Sequence, residues 1–138
     1  MTEIIKSEKQ FAEWFKKNYR KLGYEKILRK DIRECPDFIM LKSGKKCGVE
    51  LEIFSSNFLL HKHNLDSVDE ILCLIKDIEL GKPIKIIKDL IYQGPKRITL
   101  SIDAQLYDKF KKYCYGNAID SSRKIEIWIE EFMKGEKN

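Results

Sequence analysis

The chain has 138 residues, 43% hydrophobic and 36% charged, with 27 Lys and Arg against 22 Asp and Glu and a net charge of +5. That length suits one ordinary domain or two small ones, and only 7 Gly and 3 Pro argue against a collagen-like or linker-rich chain. No apolar run approaches the ~20 residues that span a bilayer, and the opening MTEIIKSEKQF lacks the profile of a signal peptide. The expectation is a soluble, intracellular (cytoplasmic) protein with no membrane partner, whose charge permits a nucleic-acid one.

In chain order, residues 7–22 predict an amphipathic helix, with Phe11, Trp14, Phe15, Asn18 and Leu22 on one stripe, Ser7 as its cap and Gly23 as its stop. Tyr24–Arg29 can be a strand. Beyond Pro36, Asp37–Lys42 predicts a short strand, Ser43-Gly44-Lys45-Lys46 a hairpin turn, and Cys47–Phe54 the returning strand. Residues 65–79 predict a second helix with Val68, Ile71, Leu72 and Ile75 inward, stopped by Gly81-Lys82-Pro83, and Ile84–Lys88 a last strand. The fold class is therefore α/β (α+β), with the order αβββαβ. Gln93-Gly94-Pro95 reads as a turn or linker between a front domain, residues 1–92, and a tail, residues 96–138. Cys35, Cys47, Cys73 and Cys114 form no CxxC pair, so four buried thiols are expected; a Cys35–Cys47 disulfide is the less favoured alternative.

In the tail, Arg97–Ile102 alternates polar and apolar with period two. Asp103 can cap a helix carrying Leu106, Phe110, Tyr113 and Cys114. After a Gly116-Asn117 turn, Asp120, Ser121 or Ser122 can cap a second, with Ile125, Trp128, Ile129 and Phe132 on one face. One strand and two helices cannot bury a core alone. Pairing the strand with its own copy gives a homodimer with an antiparallel ribbon: Ile98, Leu100 and Ile102 face inward, while Arg97, Thr99 and Ser101 face the major groove of double-stranded DNA beside Lys96. Free N–H groups near Ser121 and Ser122 can then meet a phosphate. The stretch KRITLSIDAQLYDKFKKYCYGNAIDSSRKIEIWIEEFMK resembles the ribbon-helix-helix repressors. It departs from their turn, because Asn117-Ala118 separates Gly116 from Ile119. An oligomerisation tail with no DNA role is the plainer alternative.

In the front domain, Asp37 opens one strand, and Glu50 and Glu52 lie two apart on the next, so both side chains share a face. Pairing those strands brings three carboxylates together, an arrangement a hard cation such as Mg²⁺ relieves, and a bound ion can activate water for phosphodiester hydrolysis. The plainer alternative is a solvated strand edge.

Pro36-Asp37 followed by Glu50-Leu51-Glu52, in that element order, resembles the PD-(D/E)XK nuclease superfamily. The resemblance implies a restriction-endonuclease-like core, Asp37 and Glu50 as ligands of Mg²⁺ (or Mn²⁺), the Leu51 carbonyl as a third ligand, and Glu8 as the first-helix acid. Glu52 stands where the family has lysine, as in some restriction endonucleases, and leaves the catalytic cation unassigned; Glu52 can act as a base or hold a second metal, and Lys85 is a candidate for the missing cation. The stretch GVELEIFSSNFLLHKHNLDSVDEILC is similar to a subgroup of archaeal and viral proteins with E-x-E, S-x-N-F, H-x-H and D-x-(I/L)-x-C. His61 and His63 can bind phosphate, shuttle protons or simply cap the next helix, and Ser56 and Asn57 can order the loop. Asp69 and Cys73 are expected to pack on the second helix. Together these features imply a homodimeric, Mg²⁺-dependent DNA endonuclease. The alternative is a sequence-specific DNA-binding transcriptional regulator with an inactive nuclease-like domain; an antitoxin-like protein binder has least support.

Overall fold

A computed structural model of the chain describes residues 2–31, 33–61 and 63–136. The chain divides into two compact units, Met1–Lys96 and Arg97–Asn138, so the break falls just after Gly94-Pro95.

The front unit runs β1 (Glu3–Ile5), α1 (Glu8–Asn18), a 3-10 turn (Tyr19–Leu22), β2 (Lys26–Lys30), β3 (Phe38–Lys42), β4 (Lys45–Phe54), α2 (Asn57–Leu60), a 3-10 turn (Leu65–Ser67), β5 (Glu70–Ile75), β6 (Ile84–Ile86) and β7 (Leu90–Tyr92). Five strands form one mixed sheet in the order β2-β3-β4-β5-β6. The β2-β3-β4 part is antiparallel and the β4-β5-β6 part parallel. A separate parallel pair joins β1 to β7. Mixed helix and sheet in this arrangement make an α+β unit.

The Ser7 side chain accepts from the Gln10 N–H and starts α1, and Gly23, at φ 93°, ends the turn that follows it. Phe11, Ala12, Trp14 and Phe15 bury one face of α1 against Phe38, Met40, Val49, Leu51 and Ile53, which share one face of the sheet. A smaller cluster of Phe58, Val68, Ile71 and Leu80 covers part of the other face. The central strand β4 is therefore buried on both faces from Gly48 to Phe54. The turn entering it is tighter than expected: β3 and β4 pair through Lys42 and Lys45, and Ser43 and Gly44 both adopt positive φ, the two-residue hairpin geometry that fits strand twist.

Three expectations are corrected. The helix over residues 65–79 is absent; Glu70–Ile75 is a strand, parallel to β4. The run Ile71-Leu-Cys-Leu is continuously buried, and a short apolar run covered on both faces does not distinguish strand from helix by periodicity. From α1 to β5 the elements still run αβββαβ, but the second helix is the four-residue α2 rather than residues 65–79, the strand after it is β5 rather than Ile84–Lys88, and β1, β6 and β7 lie outside that order. The cysteines are all free, but only Cys73 and Cys114 are buried; Cys35 and Cys47 are half-exposed.

The tail holds α3 (Ala104–Gly116) and α4 (Ser121–Gly135), capped by Asp103 and Asp120. Phe110 packs on Trp128 at 5.5 Å between ring centroids, and Cys114 is buried. Residues 97–102 form no strand within the single chain; Ile98, Leu100 and Ile102 are exposed. Among the described residues, no helix is long and apolar enough to cross a membrane.

Candidate metal centre

The β3–β4 register pairs Phe38 with Val49, and one step further sets Asp37 opposite Glu50, on the same face. The Asp37 N–H donates to Glu50 Oε1 at 3.1 Å, and Asp37 Oδ2 accepts the Leu51 N–H at 2.9 Å. The Leu51 carbonyl leaves the strand on the same edge as its N–H, which meets Asp37. Glu52 shares the face of Glu50. Glu50 and Glu52 are 0% and 1% exposed, and the Oε2 atom of each is buried with no hydrogen-bond partner.

Two histidines close over these carboxylates. His61 Nδ1 lies 3.4 Å from Glu52 Oε1, and His63 Nε2 lies 3.5 Å from both Glu52 Oε1 and Glu50 Oε2. They follow α2, whose start is clamped from below. The Ser55 hydroxyl accepts the N–H groups of Asp77 and Ile78, and the Asp77 carboxylate accepts from the Ser56 N–H at 2.9 Å and its hydroxyl at 2.6 Å. Phe58 is buried with its ring 5.3 Å from that of His63, and the His63 N–H reaches the Phe58 carbonyl.

The cluster carries more buried negative charge than it can hold alone. Burial, then the neighbouring Glu50 carboxyl, pushes Asp37 well above the usual carboxylate range, against the lowering effect of the Leu51 N–H. Burial, then the Glu8 carboxyl, pushes Glu52 up as well, with Glu50 and Asp37 adding to it. Burial likewise raises the Cys35 thiol to about 11. Cys35 with Glu50 and His63, and Glu52 with His61 and His63, are sets whose ligand atoms lie within 4.8 Å of one another. Orphaned carboxylate oxygens beside like charges and imidazoles suit a divalent cation, which neutralises the repulsion and supplies the missing partners. The residues present could hold a metal.

Asp37 meets Glu50 and the Leu51 N–H, Glu50 faces His63, and Glu52 faces His61 and His63. Among the described residues the carboxylates of Asp37, Glu50 and Glu52 do not form one set of ligand atoms within 4.8 Å, so the expected single three-acid cluster is replaced by two adjoining ones. Glu8, an exposed residue in the first turn of α1, sits close enough to raise the pKa of two of the acids. Lys85 does not join them. It is in register with Leu72, itself paired to Leu51, which places it on the opposite face of the sheet. Asp69 and Cys73 lie before and within β5 rather than on a helix, and Asp69 Oδ2 accepts the Gly48 N–H at 2.7 Å. Asn57 begins α2, but Ser55 and Ser56 make the loop's ordering contacts.

In the tail, Arg97, Thr99 and Ser101 are exposed. Lys96 is engaged in the front unit, 3.4 Å from Asp77 Oδ2 and 4.5 Å above the Phe54 ring. Asp120 is the cap of α4 and its carboxylate takes the N–H groups of Ser122 and Arg123, while the Ser121 hydroxyl accepts from Lys111 Nζ. The amides expected to face a phosphate at Ser122 are thus already filled by a carboxylate.

Sequence reasoning missed Cys35, Ser55 and Asp77. Cys35 stands immediately before Pro36-Asp37, and that adjacency was its available signal. Asp77 fell inside the expected helix, so nothing pointed from it to Ser55 and Ser56. Compared with known protein families, with curated proteins and with solved structures, the sequence gives no significant match.

Proposed function

We propose that the chain is a metal-dependent DNA endonuclease of the PD-(D/E)XK kind, hydrolysing phosphodiester bonds and held on duplex DNA as a homodimer by its ribbon-helix-helix tail. The observation that carries the reading is the pair of buried, unpartnered oxygens, Glu50 Oε2 and Glu52 Oε2, on the strand beside Asp37. Leaving such atoms without partners costs several kcal/mol per charge in order of magnitude, a cost evolution tolerates where the groups have work to do. Asp37, Glu50 and the Leu51 carbonyl would hold the ion, Mg²⁺ or Mn²⁺. When bound, the ion lowers the pKa of a water and stabilises charge on the phosphate. Glu52, with His61 and His63 over it, takes the place of the family's lysine. His61, 37% exposed, has a proton-carrying ring that can meet solvent and substrate.

The tail supports delivery to DNA. Ile98, Leu100 and Ile102 alternate with Arg97, Thr99 and Ser101 and are exposed in the single chain; a second copy of the strand would cover them. Linking the modules raises the local concentration of scissile phosphate.

The test is plasmid nicking with Mg²⁺ or Mn²⁺, beside Asp37→Ala and Glu50→Ala. Metal-dependent nicking lost in both variants supports the enzyme. The rival reading, a DNA-binding regulator with an inactive front unit, is favoured by one observation: the family's lysine is absent and Lys85 lies on the wrong face to replace it. An intact plasmid together with a tight shift on a palindromic site would select that reading.

A further inference from the structure

The histidine side of the cluster has a geometry of its own. Three separations between possible ligand atoms are nearly equal: 3.4 Å for His61 Nδ1 to Glu52 Oε1, and 3.5 Å for His63 Nε2 to Glu52 Oε1 and to Glu50 Oε2. Ligands about 2.1 Å from one ion stand roughly 3.4 Å apart at the tetrahedral angle. Around an octahedral Mg²⁺ at about 2.1 Å, neighbouring ligands stand roughly 3.0 Å apart. Glu52, His61 and His63 lie within 4.8 Å of one another as a set, without Glu50, and the His61–Glu52 and His63–Glu52 separations fit ligands of one tetrahedral ion. The donors agree with it, since two imidazoles favour a borderline ion over a hard one, which prefers oxygen and water. The second, independent sign of a ligand is the buried Oε2 of Glu52, which has no hydrogen-bond partner and is not one of the atoms in those separations.

We propose that Glu52, His61 and His63 form a three-ligand site, with its fourth tetrahedral position left to water, for a zinc-class divalent ion, separate from the Asp37–Glu50–Leu51 position assigned above to Mg²⁺ or Mn²⁺. The inference deepens the endonuclease reading by adding a second ion with a different preference, and Glu50 lies between the two positions. Glu52, which departs from the family's lysine, then has a defined role: it exchanges a fixed side-chain cation for a bound one. The half-exposed His61 leaves one side of the ion open to solvent, as a catalytic rather than a purely structural zinc site requires.

The probe is Co²⁺, added to the metal-free 138-residue chain without DNA. Tetrahedral Co²⁺ absorbs strongly in the visible and octahedral Co²⁺ weakly, so the spectrum reads the geometry directly. The expected result is one equivalent bound with the intense tetrahedral spectrum, displaced by stoichiometric Zn²⁺ and retained in about a hundredfold excess of Mg²⁺. His61→Ala and His63→Ala should each weaken Co²⁺ binding by at least about tenfold. Glu52→Gln, which keeps the shape of the buried side chain, is the second variant should a histidine replacement unfold; a thermal melt of each metal-free variant tells the two cases apart. A weak octahedral spectrum, or Co²⁺ affinity unchanged in folded His63→Ala or Glu52→Gln, would overturn the inference and leave the histidines as ion-pair partners of the acids. Plasmid cleavage is read separately. A tetrahedral spectrum with no cleavage in any ion retains the site and removes the nuclease reading. Cleavage in Mg²⁺ without a tetrahedral spectrum does the reverse.

Discussion

Asp37 and Glu50 hold each other across the strand boundary: the Asp37 N–H donates to Glu50 Oε1 at 3.1 Å, while both side chains face the same buried space. The Asp37 carboxylate in turn accepts the Leu51 N–H. A buried acid in this position is costly unless its charge is matched, and replacing a buried charge by a neutral group of the same shape is often stabilising. Asp37→Asn keeps an oxygen for the Leu51 N–H and removes the charge. The metal-free variant should therefore be more stable than the parent by about 1–2 kcal/mol, yet slower in cleavage by at least about a hundredfold. Thermal unfolding in chelator and plasmid nicking measure the two effects. A destabilised variant that still cuts at the parental rate would contradict both.

The same acids set a pH dependence. Asp37 and Glu52 titrate above their ordinary range because of burial and neighbouring carboxyls. Below the ordinary carboxylate pKa of about 4, folded and unfolded chains both hold these protons. As pH rises, the unfolded chain releases them first, so metal-free stability falls through the neutral range. Asp77 acts oppositely. Burial would raise it, but hydrogen bonds from Ser56 and Ser55 hold it down to about 2. Its contribution is present above about pH 4 and is lost as pH falls toward 2. Denaturation midpoints across pH 4 to 9 should decline in chelator and flatten in saturating Mn²⁺. A metal-free profile that rises with pH over that range would be inconsistent with the buried acids described.

Gly48 tests how closely β4 approaches its surroundings. A Cβ there would stand 2.9 Å from the Ser67 carbonyl oxygen and 3.1 Å from Pro36 Cγ. The first is backbone and cannot swing away, and the second belongs to the residue before Asp37. Gly48→Ala should cost about 1–3 kcal/mol and reduce Mn²⁺ affinity by shifting the Pro36-Asp37 turn. Urea unfolding and calorimetric titration measure these; an alanine variant with parental stability would mean the approach is looser than described.

The tail makes two separable predictions. Leu100→Asp puts a charge on the face proposed to pair with a second copy, and should give monomers by analytical ultracentrifugation. Arg97→Ala should leave the dimer intact and weaken binding to duplex DNA, with a smaller salt dependence. A dimer that survives Leu100→Asp, or an unchanged affinity in Arg97→Ala, removes the ribbon assignment.

The hairpin and its acids were legible because strand periodicity fixes faces: one register sets Asp37 against Glu50 and puts Glu52 on the same face as Glu50, though not within a shared ligand set. Helix α1 was legible from its stripe and from Ser7 and Gly23. Strand β5 was not, because Val68, Ile71, Leu72 and Ile75 satisfy a helical stripe while also belonging to a run buried on both faces. That error hid Asp77, since its partners Ser55 and Ser56 are reached only after β5 pairs beside β4. Strands β1 and β7 are three residues each and pair across most of the front unit; windows that short carry no readable period. The histidines were visible as a pair, but the sequence left phosphate binding, proton transfer and capping open, with a structural role the plainer reading. Only the fold of α2 brings them over Glu52.

The most direct measurement of the central claim is anomalous diffraction from crystals soaked in Mn²⁺. A peak is expected within bonding distance of Asp37 and Glu50, with the Leu51 carbonyl turned toward it. Crystals that take up Mn²⁺ only at the surface, with the Glu50 and Glu52 oxygens still unliganded, would contradict it.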